Sequence, residues 1–363
     1  MPTEHEKSPI IAITMGDPAG IGPEIIAGAW REFFTQPGNP STPFPLPPTR
    51  PVVFGDPHVM RAALNLRRVD AAITPCPDLG ALARDYDAYG GPERMPVVSC
   101  CREDVASVSY GETSAAGGEA AFRSLNRAID AALARQVDAI VTAPLNKESL
   151  NLAGRHFPGH TEILASRCGV DAFGMAYYLG PCAALSSPTG LGVAHVTLHT
   201  SMRNALDEIT FDAVLEKIRL LHNFMATILG RAPRLGVCAL NCHAGDGGLF
   251  GREEIEIISP AVAAAREEGI DVSGPYPADT IFLDAKHGRY DGIVAQLHDQ
   301  GSIAIKLLDM FSAVNVALGL PIIRTSVAHG TAFNISGKGV ARITSLLEAV
   351  RVAALFANRH ETP

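Results

Sequence analysis

Short apolar runs alternate along this chain with longer stretches whose apolar positions recur at helical spacing. That alternation predicts an α/β protein with a largely parallel sheet. Ile10-Ile-Ala-Ile-Thr-Met reads as a buried strand, followed by a Gly/Pro turn and a helix opening near Pro23. Gly118 to Gln136 predicts an amphipathic helix with Phe122, Leu125, Ile129 and Leu133 on one face, and Val137-Asp-Ala-Ile-Val-Thr the next strand. Further helices are expected over Phe211–Leu229, Glu253–Glu267 and from about Ala341 to Ala357. The proline-crowded stretch from Gln36 to Pro51 fits neither a helix nor a central strand, because proline lacks an amide donor. It reads as a surface loop. No internal repeat is visible.

Three of the apolar runs lead into histidines. Gly192-Val-Ala-His-Val-Thr-Leu ends at His199, Leu235-Gly-Val-Cys-Ala-Leu-Asn leads to His243, and Asp291-Gly-Ile-Val-Ala-Gln-Leu leads to His298. Ligand sites in open α/β sheets lie at the carboxyl ends of strands, so three imidazoles delivered there are candidates for one divalent metal. Such long spacing carries no local metal signature. For any one of them, a hydrogen-bonded surface histidine is the simpler reading. The trio gains weight from its glycine-rich neighbours, His243-Ala-Gly-Asp-Gly-Gly and His298-Asp-Gln-Gly, which cannot serve as core.

Composition narrows the choices. The chain has 363 residues, 47% of them hydrophobic and 19% charged, enough for two domains. A net charge of −8 offers no basic stripe, which argues against nucleic acid as the partner. No apolar run reaches membrane-spanning length, and the first residues lack a secretory pattern. The seven cysteines, with Cys100 and Cys101 adjacent and Cys238 and Cys242 in or beside a strand, show no framework spacing. Buried free thiols and a cytoplasmic address are expected.

Other segments offer chemistry more weakly. Gly16-Asp-Pro-Ala-Gly-Ile-Gly-Pro-Glu24 joins a strand to a helix, a context suited to anions, but its glycine spacing is not the dinucleotide fingerprint. A tight structural turn is at least as good a reading. In Gly159-His160-Thr161-Glu162, Thr161 suits a helix N-cap and His160 is a candidate donor to substrate. Lys147 stands at a strand end in Thr142-Ala-Pro-Leu-Asn-Lys, where a solvated lysine is the common outcome. Lys306, Asn315 and Arg324 each interrupt an apolar stretch. A lone cation in such a stretch snorkels to the surface; two cations and an amide near a metal are better explained as anchors for an anionic substrate.

These segments, with Asn241-Cys-His-Ala-Gly-Asp-Gly-Gly, Gly274-Pro-Tyr-Pro-Ala-Asp-Thr and Gly319-Leu-Pro-Ile-Ile-Arg-Thr-Ser, together resemble the 4-hydroxythreonine-4-phosphate dehydrogenase family over nearly the whole chain. The resemblance implies two α/β/α domains with largely parallel sheets, like those of isocitrate and isopropylmalate dehydrogenases, with the active site in the interdomain cleft. It places residues 1–140 and about 310–363 in the first domain. Residues from about 141 to 309 form the second, with the metal ligands and the dimer interface. It implies a homodimer whose site is shared between subunits, a metal held by His199, His243 and His298, and substrate bound by His160, Thr161, Lys306, Asn315 and Arg324. NAD or NADP would take a hydride from an anionic β-hydroxy acid, which then loses carbon dioxide. Three imidazoles suit zinc best, with cobalt, manganese or magnesium as alternatives. Lys306, His160 and Asp299 are the candidate acid–base residues, and no cofactor-binding residue is assigned.

Departures from the family pattern bear on the substrate. Cys242 replaces a proline, Ala328 replaces an aspartate, and Asp309-Met310-Phe311 stands where a Gly-Phe turn is usual. An extra carboxylate there sits badly beside a phosphate unless it points away. Besides the vitamin B6 precursor, the alternatives are a four-carbon sugar-acid 4-phosphate and the terephthalate cis-dihydrodiol of aromatic catabolism. Different in class are a metal-containing binding protein without turnover and a redox-neutral lyase.

Overall fold

The structure is a computed structural model that describes residues 8–35, 46–101, 105 and 107–360. From the N-terminus the chain forms β1 (Ile10–Thr14), α1 (Gly22–Ala29), β2 (Arg50–Gly55), α2 (Pro57–Arg67) and β3 (Ala72–Pro75). It continues through α3 (Leu79–Arg84), α4 (Tyr86–Tyr89), β4 (Arg94–Ser99), α5 (Ala115–Leu133), β5 (Ala139–Thr142), α6 (Lys147–Leu152) and α7 (His160–Cys168). Next come β6 (Gly174–Leu179), β7 (Leu191–His195), α8 (Met202–Glu208), α9 (Phe211–Leu229), β8 (Leu235–Cys238) and α10 (Ser259–Glu267). The last elements are β9 (Val272–Tyr276), α11 (Ala278–Lys286), β10 (Gly292–Ala295), α12 (His298–Asp309), β11 (Ala313–Leu318), β12 (Ile323–Val327) and α13 (Thr344–His360).

Two compact units result. Unit 1 holds the chain up to Val170 and from Leu320 onward; unit 2 holds Asp171–Gly319. The breaks fall at 170 and 320 rather than near 140 and 310, because α6 and α7 pack with α5 in unit 1 and β11 pairs with β6 in unit 2. In unit 1 the strands run β3-β4-β2-β1-β5-β12, all parallel. In unit 2 the order is β11-β6-β7-β10-β8-β9, and β6 lies antiparallel to both its neighbours. All six residues of β6 are buried, and a strand buried on both faces carries no sequence mark of its direction.

Local chemistry sets the helix starts. Asp56 accepts from the His58 and Val59 amides just before Pro57, so α2 begins there. Ser114, Asn146 and Thr210 cap α5, α6 and α9 in the same way, and Gly230 in the left-handed region ends α9. Leu125 and Ile129 of α5 enter a core with Val52, Phe54 and Ile140, whereas Leu133, placed on the same face by its spacing, is 42% exposed as the last residue of the helix.

Three further expectations change. The expected helix from Glu253 to Glu267 is a π-helical turn, Glu254–Ile258, followed by α10. Of the proline-rich stretch, residues 36–45 lie outside the described residues. Its end, Arg50-Pro51, opens β2 between β1 and β4, where proline is tolerated because the strand is only beginning. Among the free cysteines, Cys76 and Cys238 are buried but Cys242 is exposed, because the chain leaves the sheet after β8. No helix among the described residues is long and apolar enough to cross a membrane.

Of the described glycines, Gly118 of α5 leaves the least room for a side chain. A Cβ there would lie 1.9 Å from the Ser149 carbonyl oxygen of α6, and backbone cannot swing aside. Gly118→Ala is expected to cost about 1–3 kcal/mol and lower Tm by several degrees. Gly330→Ala, with nothing near its Cβ position, should melt like the parent. Equal melting curves for all three proteins would contradict this packing.

Candidate functional site

Unit 1 gathers its share of the candidate residues around the end of β5 and the neighbouring β12. Arg324, on β12, is 2% exposed. Its Nε and Nη2 donate to Thr142 Oγ1, at 3.2 and 2.7 Å, from the last residue of β5. Burial lowers the guanidinium to about 9, against the opposing pull of the Glu162 carboxylate. The expectation for a lone cation in an apolar stretch, snorkelling, is therefore not met here. His160 and Thr161 begin α7. Loss of water and the nearby Arg324 charge hold His160 well below the ordinary imidazole range, and a hydrogen bond with the Ala143 backbone works the other way. Gly159 is the N-cap of α7, so Thr161 is not the cap that its spacing suggested.

The turn Gly16–Glu24 is built for itself. Asp17 N–H donates to Pro144 O, Ala19 N–H to the Asp17 carboxylate, Gly20 N–H to Asp17 O and Ile21 N–H to Thr331 O. A side chain on Gly16, at φ 74°, would meet the Pro144 carbonyl at 2.3 Å. Those amides are satisfied internally, which supports the structural reading of this turn. Lys147 is solvent-exposed, as a lysine at that place commonly is.

Unit 2 assembles a denser group. His298 opens α12, and its Nδ1 lies 2.7 Å from the exposed Asp299 carboxylate. Gln300 receives the Gln296 and Leu297 amides and donates to Ala239 O, fixing where the helix starts. The exposed His199, beyond the end of β7, has its ring 6.3 Å from that of His298. Beneath them lies a residue not singled out in the sequence: His195, fully buried, stacked at 5.9 Å on His298 and edge-on at 5.8 Å to Tyr177. Its Nε2 is 3.4 Å from Ser302 Oγ. Burial, and then the proximity of His298, Lys306 and His199, brings its pKa down to about 3. Lys306 Nζ sits 5.6 Å over the Tyr177 ring, and Asn315 faces Tyr177 across the β6–β11 pair. The signal for His195 was present: a histidine inside an apolar strand run, and Gly301, where a Cβ would lie 2.5 Å from His195 Nε2.

His243 stands apart from this group, its ring beside Phe250 at 6.4 Å. Among the described residues no three His, Cys, Asp or Glu side chains gather closely enough to hold a metal. His243 also opens an unusual segment. Residues His243, Ala244, Gly245, Asp246 and Gly247 all have positive φ, at 52, 53, 75, 44 and 68°. Each non-glycine residue in a left-handed helical conformation costs roughly 1–2 kcal/mol, so local contacts must hold this turn in place.

Asp309, the extra carboxylate near Lys306, is occupied. It accepts from the Phe311 amide at 2.9 Å, the Ser312 amide at 3.1 Å and the Ser312 hydroxyl at 2.7 Å. It stabilises its own turn.

Residues 48–353 match the family described as pyridoxal phosphate biosynthetic protein PdxA. The chain is 40% identical over 357 residues to 4-hydroxythreonine-4-phosphate dehydrogenase of Trichlorobacter lovleyi, covering 97% of this chain and 99% of the relative. It is 40% identical over 350 residues to D-threonate 4-phosphate dehydrogenase of Pectobacterium atrosepticum, covering 96% and 100%. The crystal structure of 4-hydroxythreonine-4-phosphate dehydrogenase from Klebsiella pneumoniae aligns with a TM-score of 0.78 at 38% identity, covering 96% of this chain and all (100%) of that one.

The neutral His160 gives a pH prediction. Its folded pKa lies below the ordinary 6.5. Below that pH the unfolded chain takes up a proton that the folded chain refuses, and stability falls by up to ~1.4 kcal/mol per pH unit. Urea midpoints of the parent should therefore drop between pH 7.5 and 5.5, and those of His160→Gln should drop less. Identical drops would mean that His160 titrates as a solvated imidazole.

Proposed function

The chain belongs to the PdxA family of pyridoxal phosphate biosynthetic proteins, and on that premise we propose that it is a dehydrogenase dependent on NAD(P) and a divalent metal. Its substrate is a phosphorylated β-hydroxy acid, which it oxidises and decarboxylates. The observation that carries the reading is the unit 2 cluster, where His199 neighbours His298, His195 bridges from His298 to Tyr177, and Lys306 lies over the Tyr177 ring opposite Asn315. Imidazole donors open to solvent fit a divalent metal, zinc before cobalt, manganese or magnesium. His199, His298 and His243 would hold it, and once bound it would favour loss of the substrate hydroxyl proton and stabilise the enolate left by decarboxylation.

The chain's own residues supply binding and proton transfer. Arg324 is a cation whose charge burial disfavours, and an anionic substrate group would relieve that cost. Lys306 supplies a second positive charge and Asn315 a polar partner. His160, kept neutral, offers a ring nitrogen as a hydrogen-bond acceptor to the substrate hydroxyl, while its lowered pKa makes it a weak base and leaves Lys306 as the acid–base candidate. Asp299 pairs with His298 Nδ1, an orienting role rather than an acid–base one. NAD(P), when bound, accepts the hydride; the Gly16–Glu24 turn does not fit it, its amides being satisfied by protein acceptors.

A homodimer with a shared site completes the reading. Two of the three metal-binding histidines meet within one chain and His243 does not join them. Around them unit 2 exposes Leu249, Ile303 and Leu307, by 72, 58 and 82%, apolar surface of the kind that protein interfaces cover. A second reading on the same site takes D-threonate 4-phosphate as substrate, favoured by relatives of that name at the same 40% identity. Because Asp309 is tied into its own turn, it gives no reason to prefer a non-phosphorylated substrate.

Reduction of NAD and NADP should be followed with zinc, manganese or magnesium, on 4-phosphohydroxy-threonine, a four-carbon sugar-acid 4-phosphate and terephthalate cis-dihydrodiol. Turnover of a phosphorylated acid is expected, with carbon dioxide released. Turnover of the dihydrodiol alone, or metal-independent activity in His298→Ala, would overturn the reading. Arg324→Lys keeps the charge and loses the fork, and should raise KM for the phosphorylated acid at least about tenfold, equivalent to ~1.4 kcal/mol, with little change for NAD(P). An unchanged KM would remove Arg324 from substrate binding.

A further inference from the structure

One carboxylate makes most of the hydrogen bonds that hold the chain leading into the left-handed turn at His243. Glu254, 3% exposed, stands at the head of the π-helical turn. Its Oε1 accepts the Leu240 amide at 2.8 Å and the Asn241 amide at 2.7 Å, and its Oε2 accepts Asn241 Nδ2 at 3.0 Å. These bonds fix the chain just before His243. The same carboxylate reaches the middle of the turn, because a Cβ on Gly245 would lie 2.7 Å from Oε2. Glu253 adds a second acceptor for Asn241 Nδ2 at 2.7 Å. The Phe250 amide closes the far side by donating to Gly245 O at 3.1 Å.

The π-helical turn explains how one residue does this. A π turn holds one more residue than an α turn, which offsets the side chains on either side of it and is a recurrent feature of functional sites. Here Glu254 is directed back onto 240–245, while Ile258, later in the same turn, is fully buried (0% exposed). Leu249 and Phe250, exposed by 72 and 48%, supply little burial to hold the segment. Hydrogen bonds rather than burial therefore hold its conformation, and those to Glu254 are the most numerous from one side chain.

We infer that Glu254 is a positioning residue whose carboxylate holds the left-handed turn and so sets the place of the His243 imidazole. The inference rests on reading His243 as a metal ligand, and the two can fail separately.

The test uses the full-length protein and Zn²⁺ alone as probe, competed against a chromophoric chelator. Amide exchange over residues 240–250 and Tm are measured in parallel. Glu254→Ala should weaken zinc binding by about 10–100-fold, the range typical for supports of metal ligands. The Leu240 and Asn241 amides should exchange faster, with Tm falling little. Glu254→Gln keeps one oxygen for those two amides but turns an amide nitrogen toward Asn241. It should recover most of the protection and part of the affinity, and it decides the matter if Glu254→Ala does not fold. His199→Ala and His243→Ala are the controls for the metal reading. If both controls lose zinc while Glu254→Gln and every folded Glu254 variant keep parental affinity and exchange, the positioning role is overturned. If the controls bind zinc normally, the metal reading fails, and the exchange data alone decide whether Glu254 holds the turn.

Discussion

A parallel strand cannot hand the chain to its neighbour through a tight turn; it must cross over through a helix and re-enter at the same edge. Every parallel strand in a unit thus ends on the same side, and the loops leaving those ends become neighbours however far apart they lie in sequence. Thr142 closes β5 and Arg324 lies on the adjacent β12, so residues from distant parts of the chain share a hydrogen bond. His195 closes β7 and His298 follows β10, its parallel partner, so two more distant residues stack. Chemistry collects where this geometry puts loop ends, and the rest of each unit serves to hold those ends still.

Holding them involves burying groups that prefer water. Arg324, His160 and His195 all have their charged forms disfavoured, chiefly by loss of solvent. Desolvated groups of this kind recur where proteins bind ligands, and a neutral imidazole keeps one ring nitrogen as a hydrogen-bond acceptor. Backbone conformation is treated similarly at His243, where successive left-handed residues persist because a buried carboxylate fixes the chain leading into them.

The sequence feature that sits badly with a phosphorylated substrate lies between Lys306 and Asn315. An aspartate in place of a Gly-Phe turn looks, in sequence, like repulsion aimed at a phosphate. In the folded chain, Asp309 accepts three hydrogen bonds from Phe311 and Ser312 and closes the end of α12. A carboxylate so engaged keeps its charge with the amides that stabilise it, and the family's phosphorylated substrates remain compatible with this branch.

Periodicity determined the α/β class, the bounds of Phe211–Leu229 and the strand–turn–helix at the N-terminus, because burial of one face or of a whole strand is written into local spacing. Motif chemistry marked His160, His199, His298, Lys306, Asn315 and Arg324, since glycine-rich turns and lone polar residues in apolar runs are visible one segment at a time. Tertiary structure alone decided what depends on partners distant in sequence. The antiparallel course of β6, Pro51 within a paired strand, the division of the units at Val170 and Leu320, and the exposure of Cys242 are of this kind. So are His195 beneath His298 and Glu254 beneath Asn241. A buried polar residue is defined by what surrounds it, and those neighbours come from strands and turns that meet only after the sheet has formed.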